Sequence, residues 1–203
     1  IYAEHGFTCN DTISIRGSWA RIDESINGRT FGFEDVEVGW KHCLGTKLGH
    51  LFSVELLGIV PVETVHKPGL RYGEYGGECN LLFSRGFAFW DRCASYDLRV
   101  GYRVYAGFPS DQVRVNGALN FFPFSRLMIT ASGHLEYGLF NGGSRTDESL
   151  FLLNPNYRLF RGQIEATACI YKGLSAFIGY QRHLWGRNVG TEGGIYGGAQ
   201  VQF

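Results

Sequence analysis

The feature that most constrains this chain is a two-residue alternation of apolar and polar side chains, held over segments of about ten residues. In 96–105, one parity carries Tyr96, Leu98, Val100, Tyr102 and Val104, and the other carries Asp97, Arg99 and Arg103. Successive side chains of a strand point to opposite faces, so this segment reads as a strand with one greasy and one charged face. Val36, Val38 and Trp40 oppose Glu37 and Lys41 in the same way. Val113 and Val115 oppose Arg114 and Asn116, and Ile164 opposes Gln163 and Glu165. Gln200 and Gln202 oppose Ala199, Val201 and Phe203 at the end of the chain. No helical period of any length competes.

The alternation predicts strands at 1–8, 12–20, 32–43, 50–60, 73–84, 95–106, 112–121, 126–140, 157–170, 174–185 and 194–203. Sandwich strands run to about five or six residues, whereas about ten are needed to cross a bilayer at a tilt. The links alternate in length. Short ones are expected near 9–11, 44–47, 122–125 and 171–173, and long ones at 21–31, 61–72, 141–156 and 186–193. Short turns on one side and long loops on the other are the habit of outer-membrane barrels. Two links break the rule: 85–94 is long for an inner turn, and 107–111 is short for an outer loop. The expected fold is all-β: one domain over 1–203, an antiparallel up-and-down transmembrane β-barrel. Even strand number and the direction of the last strand make about twelve strands the expectation, with the first preceding Ile1.

Composition narrows the alternatives. Nineteen Lys and Arg balance nineteen Asp and Glu, so no net field points to nucleic acid. No apolar run approaches eighteen residues, which excludes a membrane-spanning helix but not membrane-spanning strands. The five cysteines, Cys9, Cys43, Cys79, Cys93 and Cys169, form no C-x-x-C and lie beside no His pair at zinc spacing. An odd count rules out a complete disulfide framework; they read as lone small residues, with a single bridge open to an oxidising periplasm. No metal or cofactor is expected. Trp19, Trp40, Tyr75, Tyr96, Tyr137 and Tyr180 share the apolar parity, and aromatics on a lipid face gather at the two membrane interfaces.

The polar parity should line the lumen. The candidate pore-lining residues are Arg99, Arg103, Arg114, Arg126, Glu37, Glu55, Glu78, Glu136, Arg161 and Glu165. Glu78, Glu37 and Glu136 are the expected partners of the arginines. These charges either pair across strands and fill the lumen, or flank a water-filled path and orient a polar solute. An eight-stranded barrel is already filled by side chains, so about twelve strands favour a narrow channel. Catalysis is the competing chemistry. Ser132, His134 and Glu136 share a face, but same-face neighbours lie about 6.5–7 Å apart along a strand. That is long for a nucleophile, base and orienting acid. The stretches 142–144 and 186–198 are glycine-rich but lack the Lys-Ser/Thr and helix of a phosphate loop. The 141–156 loop, polar then apolar, could fold over the mouth or serve as an adhesive surface.

Two resemblances point the same way. Phe203, closing an alternating strand, resembles the terminal aromatic by which bacterial outer-membrane barrels are recognised for assembly. Ile1 to Thr8 with Thr12-Ile13-Ser14-Ile15 is similar to an "EYGLT…LTL" opening hairpin. Gly101-Tyr102-Arg103 with Pro109-Ser110-Asp111-Gln112-Val113-Arg114 is similar to a "GYR…PxDE-R" hairpin. Both hairpins occur in proteobacterial outer-membrane proteins grouped with transporters of the phenol meta-pathway type, from which this sequence departs at His5 and Gln112. The resemblance implies passive transport of small aromatic or hydrophobic compounds. The expected partners are outer-membrane lipids, a small solute, and the barrel-assembly machinery through Phe203. A lipid-hydrolase barrel and an adhesive or structural barrel with a filled lumen remain the alternatives.

Overall fold

The computed structural model describes residues 1–17, 35–62, 74–107, 109–142, 156–189 and 193–202, with the backbone of four short strands between them. Phe203, the side chain of Trp19 and most of the 141–156 loop lie outside the described residues. Fifteen strands are described and no helix among them. They are β1 (Tyr2–Gly6), β2 (Asp11–Arg16), β3 (Trp19–Glu24), β4 (Gly28–Phe33), β5 (Val36–Lys47), β6 (His50–Val60), β7 (Gly76–Phe89), β8 (Arg92–Tyr105), β9 (Gln112–Phe124) and β10 (Leu127–Gly138). There follow β11 (Arg145–Thr146), β12 (Leu152–Leu153), β13 (Arg158–Tyr171), β14 (Leu174–Arg187) and β15 (Gly193–Val201).

Eleven of these form one sheet in the order β1-β2-β5-β6-β7-β8-β9-β10-β13-β14-β15. Every neighbouring pair is antiparallel, so the sheet is a meander with no crossover. The described ladder ends at β1 and β15, which are not paired with each other within it. Two hairpins, β3–β4 and β11–β12, stand outside the sheet. The long loop expected at 21–31 is therefore largely a hairpin, a period too short for the alternation to reveal.

The turns sit later than glycine and proline placed them. Gly45 was expected inside a turn. It instead takes φ +116 at a register shift between Cys43 and Gly45, and β5 runs on to Lys47. A glycine at positive φ serves a β-bulge as readily as a turn. The turn itself is Leu48-Gly49, both at positive φ. The expected long link at 85–94 disappears: β7 and β8 pair to their tips, Phe89 opposite Arg92, across Trp90-Asp91. Both turn residues have positive φ (49 and 59), the type I′ signature that follows the strands' own twist. That correction removes one exception to the short-turn rule. Pro123 likewise lies within β9, which ends at Phe124.

The burial is inverted relative to a water-soluble domain. Asn80 is 0 % exposed and Glu78 5 %, with Glu55, Arg103, Gln112 and Glu136 also buried. Ile164 is 64 % exposed and Ile178 61 %, and Val38, Trp40, Leu56, Leu81, Val100, Tyr102 and Leu119 are exposed too. Buried apolar side chains among the described residues reduce to Ile59, Ala94, Pro109 and Leu159. A charged face becomes buried when the sheet curls with that face inward. Glu37 on β5 and Arg103 on β8 are three strand spacings apart, roughly 14 Å on a flat sheet. Arg103 Nη2 nevertheless donates to Glu37 Oε1 at 2.6 Å.

Aromatic side chains mark both rims of the outer face. At the short-turn end Phe89 stacks on Trp90 (ring centroids 4.7 Å) and meets Phe121 edge-on. At the long-loop end the Arg158 guanidinium lies over the Tyr137 ring at 4.1 Å and over Phe140 at 4.9 Å. Leu127 to Tyr137 covers roughly 33 Å along β10, or about 24 Å at a 45° tilt.

Candidate functional site

The alternation puts Glu37, Glu78, Arg103, Arg114 and Glu136 on the inner face, all near the long-loop end of their strands. Antiparallel pairing brings Glu78 opposite Arg103 and Arg114 opposite Glu136. The side chains then join in one chain of ion pairs. Arg103 donates to Glu37 at 2.6 Å, to Glu78, and to the Tyr105 hydroxyl at 3.2 Å. Arg114 donates to Glu78 at 3.1 Å and to Glu136. Glu136 also accepts from the Tyr157 hydroxyl at 2.8 Å and faces His134 Nε2 at 2.7 Å. Gln112 Nε2 donates to Tyr157 Oη at 2.9 Å. This belt spans β5 to β10 and extends to Tyr157 just before β13.

One step toward the turns, a second layer is paired less densely. Arg99 reaches Glu55 at 3.2 Å, and Glu55 accepts from Asn80 Nδ2 at 3.0 Å. Asn80 lies over Gly101, where a Cβ would collide with its amide, so the lattice of buried groups depends on that missing side chain. Lys41 pairs with Glu4 at 2.8 Å. Glu165 accepts from Thr167 and from the Tyr196 hydroxyl, each at 3.0 Å. Below the belt a cavity of 520 Å³ opens, lined by residues of every sheet strand from β5 to β13. A single cavity touching Lys41 on β5 and Arg161 on β13 requires strong curling of the sheet.

Of the ten candidate lumen residues, Glu37, Glu78, Arg103, Arg114 and Glu136 meet in the belt, and Arg99 and Glu55 pair beside it. Arg161 lines the cavity, and Glu165 lies nearer the turn end. Arg126 does not belong: it lies in the Ser125-Arg126 turn, exposed, where its carbonyl accepts the Cys169 N–H. Its assignment to the inner face assumed a strand already running at 126, whereas β10 begins at Leu127. Tyr105, Tyr157 and Tyr196 were missed. Parity was the available signal: Tyr105 shares the face of Arg99 and Arg103, and Tyr196 that of Gln200 and Gln202.

Ser132, His134 and Glu136 do not form a hydrolytic relay. His134 turns Nδ1 to Asn116 Oδ1 and Nε2 to Glu136 Oε1, so neither ring nitrogen faces Ser132. All five cysteines are free thiols. No group of three or more His, Cys, Asp or Glu among the described residues is placed to hold a metal ion. Comparison with protein-family models, curated proteins and solved structures finds no match.

Proposed function

We propose that this chain spans a bacterial outer membrane as a β-barrel and passes small solutes through its polar interior. One observation carries the reading: apolar side chains cover the outside of a curled sheet while buried charges and a 520 Å³ cavity occupy the inside. Leaving Ile164, Ile178 and the outer valines and leucines in water would forgo the main driving force for folding. A lipid surface satisfies them, and two aromatic rims about one hydrocarbon thickness apart fit the same setting. The water-filled volume then faces solutes, and the ion-pair belt is a constriction near the long-loop end.

The preference for aromatic or hydrophobic solutes rests on the two hairpins resembling transporters of the phenol meta-pathway type. Their residues have definite work here. Asp111 accepts from the Tyr102 hydroxyl at 3.0 Å and from Asn141 Nδ2 at 2.7 Å, tying the β8–β9 link to the segment after β10. Thr8 caps the first turn by accepting from the Asp11 amide at 2.9 Å. A second reading, a structural barrel with a filled lumen, is favoured by the density of the belt. Reconstitution in planar bilayers separates the two: stepwise conductance is expected, and silence at every voltage selects the filled barrel. Uptake of small neutral sugars and phenols by proteoliposomes reports passage directly.

A further inference from the structure

We infer that the cavity below the belt is a binding site for a small organic anion: a carboxylate carried on a compact apolar body. This rests on the reading above that the inner face meets water and admits solutes. Three cations line the cavity, Lys41, Arg99 and Arg161, against one carboxylate, Asp97. Lys41 and Arg99 are each neutralised, by Glu4 and Glu55. Those two carboxylates are not part of the cavity wall, and the cation left to a ligand is Arg161. Arg161 differs from the other two: among the described residues it makes no ion pair, although it is half-buried. A guanidinium that lines the cavity without a counter-ion offers a carboxylate a fork, binding it through two parallel hydrogen bonds.

The remaining lining fixes the body of the ligand. Leu82, directly opposite Arg99, and Leu51, nearer the turns, supply an apolar wall, and Ser132 and Gln163 supply neutral polar groups beside Arg161. A volume of 520 Å³ lies within the range of small-molecule sites, roughly 300–1,000 Å³. Asp97 already accepts from Asn120 Nδ2 at 2.8 Å, is exposed, and lies nearer the turn end than Arg99. It stands as a like charge at the turn side of the cavity, and so weakens anion binding.

The test uses the full chain purified in detergent and three probes of one shape: benzoate, benzamide and benzylamine, titrated by calorimetry. Benzoate is expected to bind at least tenfold more tightly than either other probe. Arg161→Gln should lose at least tenfold for benzoate and leave benzamide unchanged. Asp97→Asn should tighten benzoate several-fold, a gain that a merely misfolded variant cannot produce. Equal binding of benzoate and benzamide, preference for benzylamine, or an Asp97→Asn variant that weakens benzoate would each overturn the inference. Transport is scored separately in proteoliposomes. Benzoate binding without uptake defeats the transport reading alone, and uptake without charge preference defeats the anion site alone.

Discussion

At the scale of single residues, the belt is held by shared carboxylates rather than by isolated pairs. Glu78 serves both Arg103 and Arg114, so its removal takes one of two partners from each of two guanidiniums that water reaches poorly. Breaking one side of a buried ion pair typically costs about 3–5 kcal/mol. Arg103 keeps Glu37 and Arg114 keeps Glu136, which places Glu78→Ala near the low end. The expected loss is about 3 kcal/mol, read as a lower urea midpoint for the protein refolded into vesicles. Glu165, bonded to two hydroxyls and no cation among the described residues, should tolerate alanine with a much smaller change.

At the scale of elements, the hairpin turns decide where each alternating face begins. Leu48 occupies the left-handed region (φ 53) at the first position of a two-residue turn, with Gly49 following. Asparagine adopts that conformation more readily than leucine, and Asn-Gly is the preferred type I′ pair. Leu48→Asn should therefore raise stability by about 1 kcal/mol. Leu48 is almost fully exposed, so little packing is lost. An unchanged or lower midpoint would show that Leu48 is held by contacts with the surrounding phase. The bulge after Cys43 changes parity: Lys41 and Cys43 pair with the inward Glu55 and Ser53 before it, whereas Gly45 pairs with Phe52 beyond it.

At the scale of the whole molecule, the outer face discriminates a lipid environment from an aqueous one. Ile164 lies mid-way along β13 and points outward. Arginine at a bilayer midplane costs about 2–4 kcal/mol, whereas an exposed surface change in water is usually within about 0.5 kcal/mol. Ile164→Arg should show the larger loss when unfolding is followed in vesicles. The belt makes a second prediction. Arg103→Ala and Arg114→Ala remove its two shared cations, and single-channel conductance and ion selectivity should both shift. Conductance indifferent to both changes would remove the belt from the path. On the same reading, the folded protein should migrate faster than the boiled protein on a detergent gel.

The strand content, the antiparallel meander and the division into two faces were legible in the sequence, because parity alone sends Val100 outward and Arg99 and Arg103 inward. Parity also named most of the belt, since its members are ordinary polar positions on long alternating strands. What it left out has a physical cause. Gly45 and Pro123 read as turn residues, but a bulge uses the same positive φ and a strand can carry a proline. Arg126 has the inner-face parity of Ser132, His134 and Glu136, but β10 begins only at Leu127, so it lies in the turn. Only the three-dimensional curl brings Glu37 within 2.6 Å of Arg103 across three strand spacings, and gathers Lys41 and Arg161 around one cavity. Local sequence sets which side of a strand a group occupies; the curvature of the assembled sheet decides which groups from distant strands meet, and which cation is left without a partner.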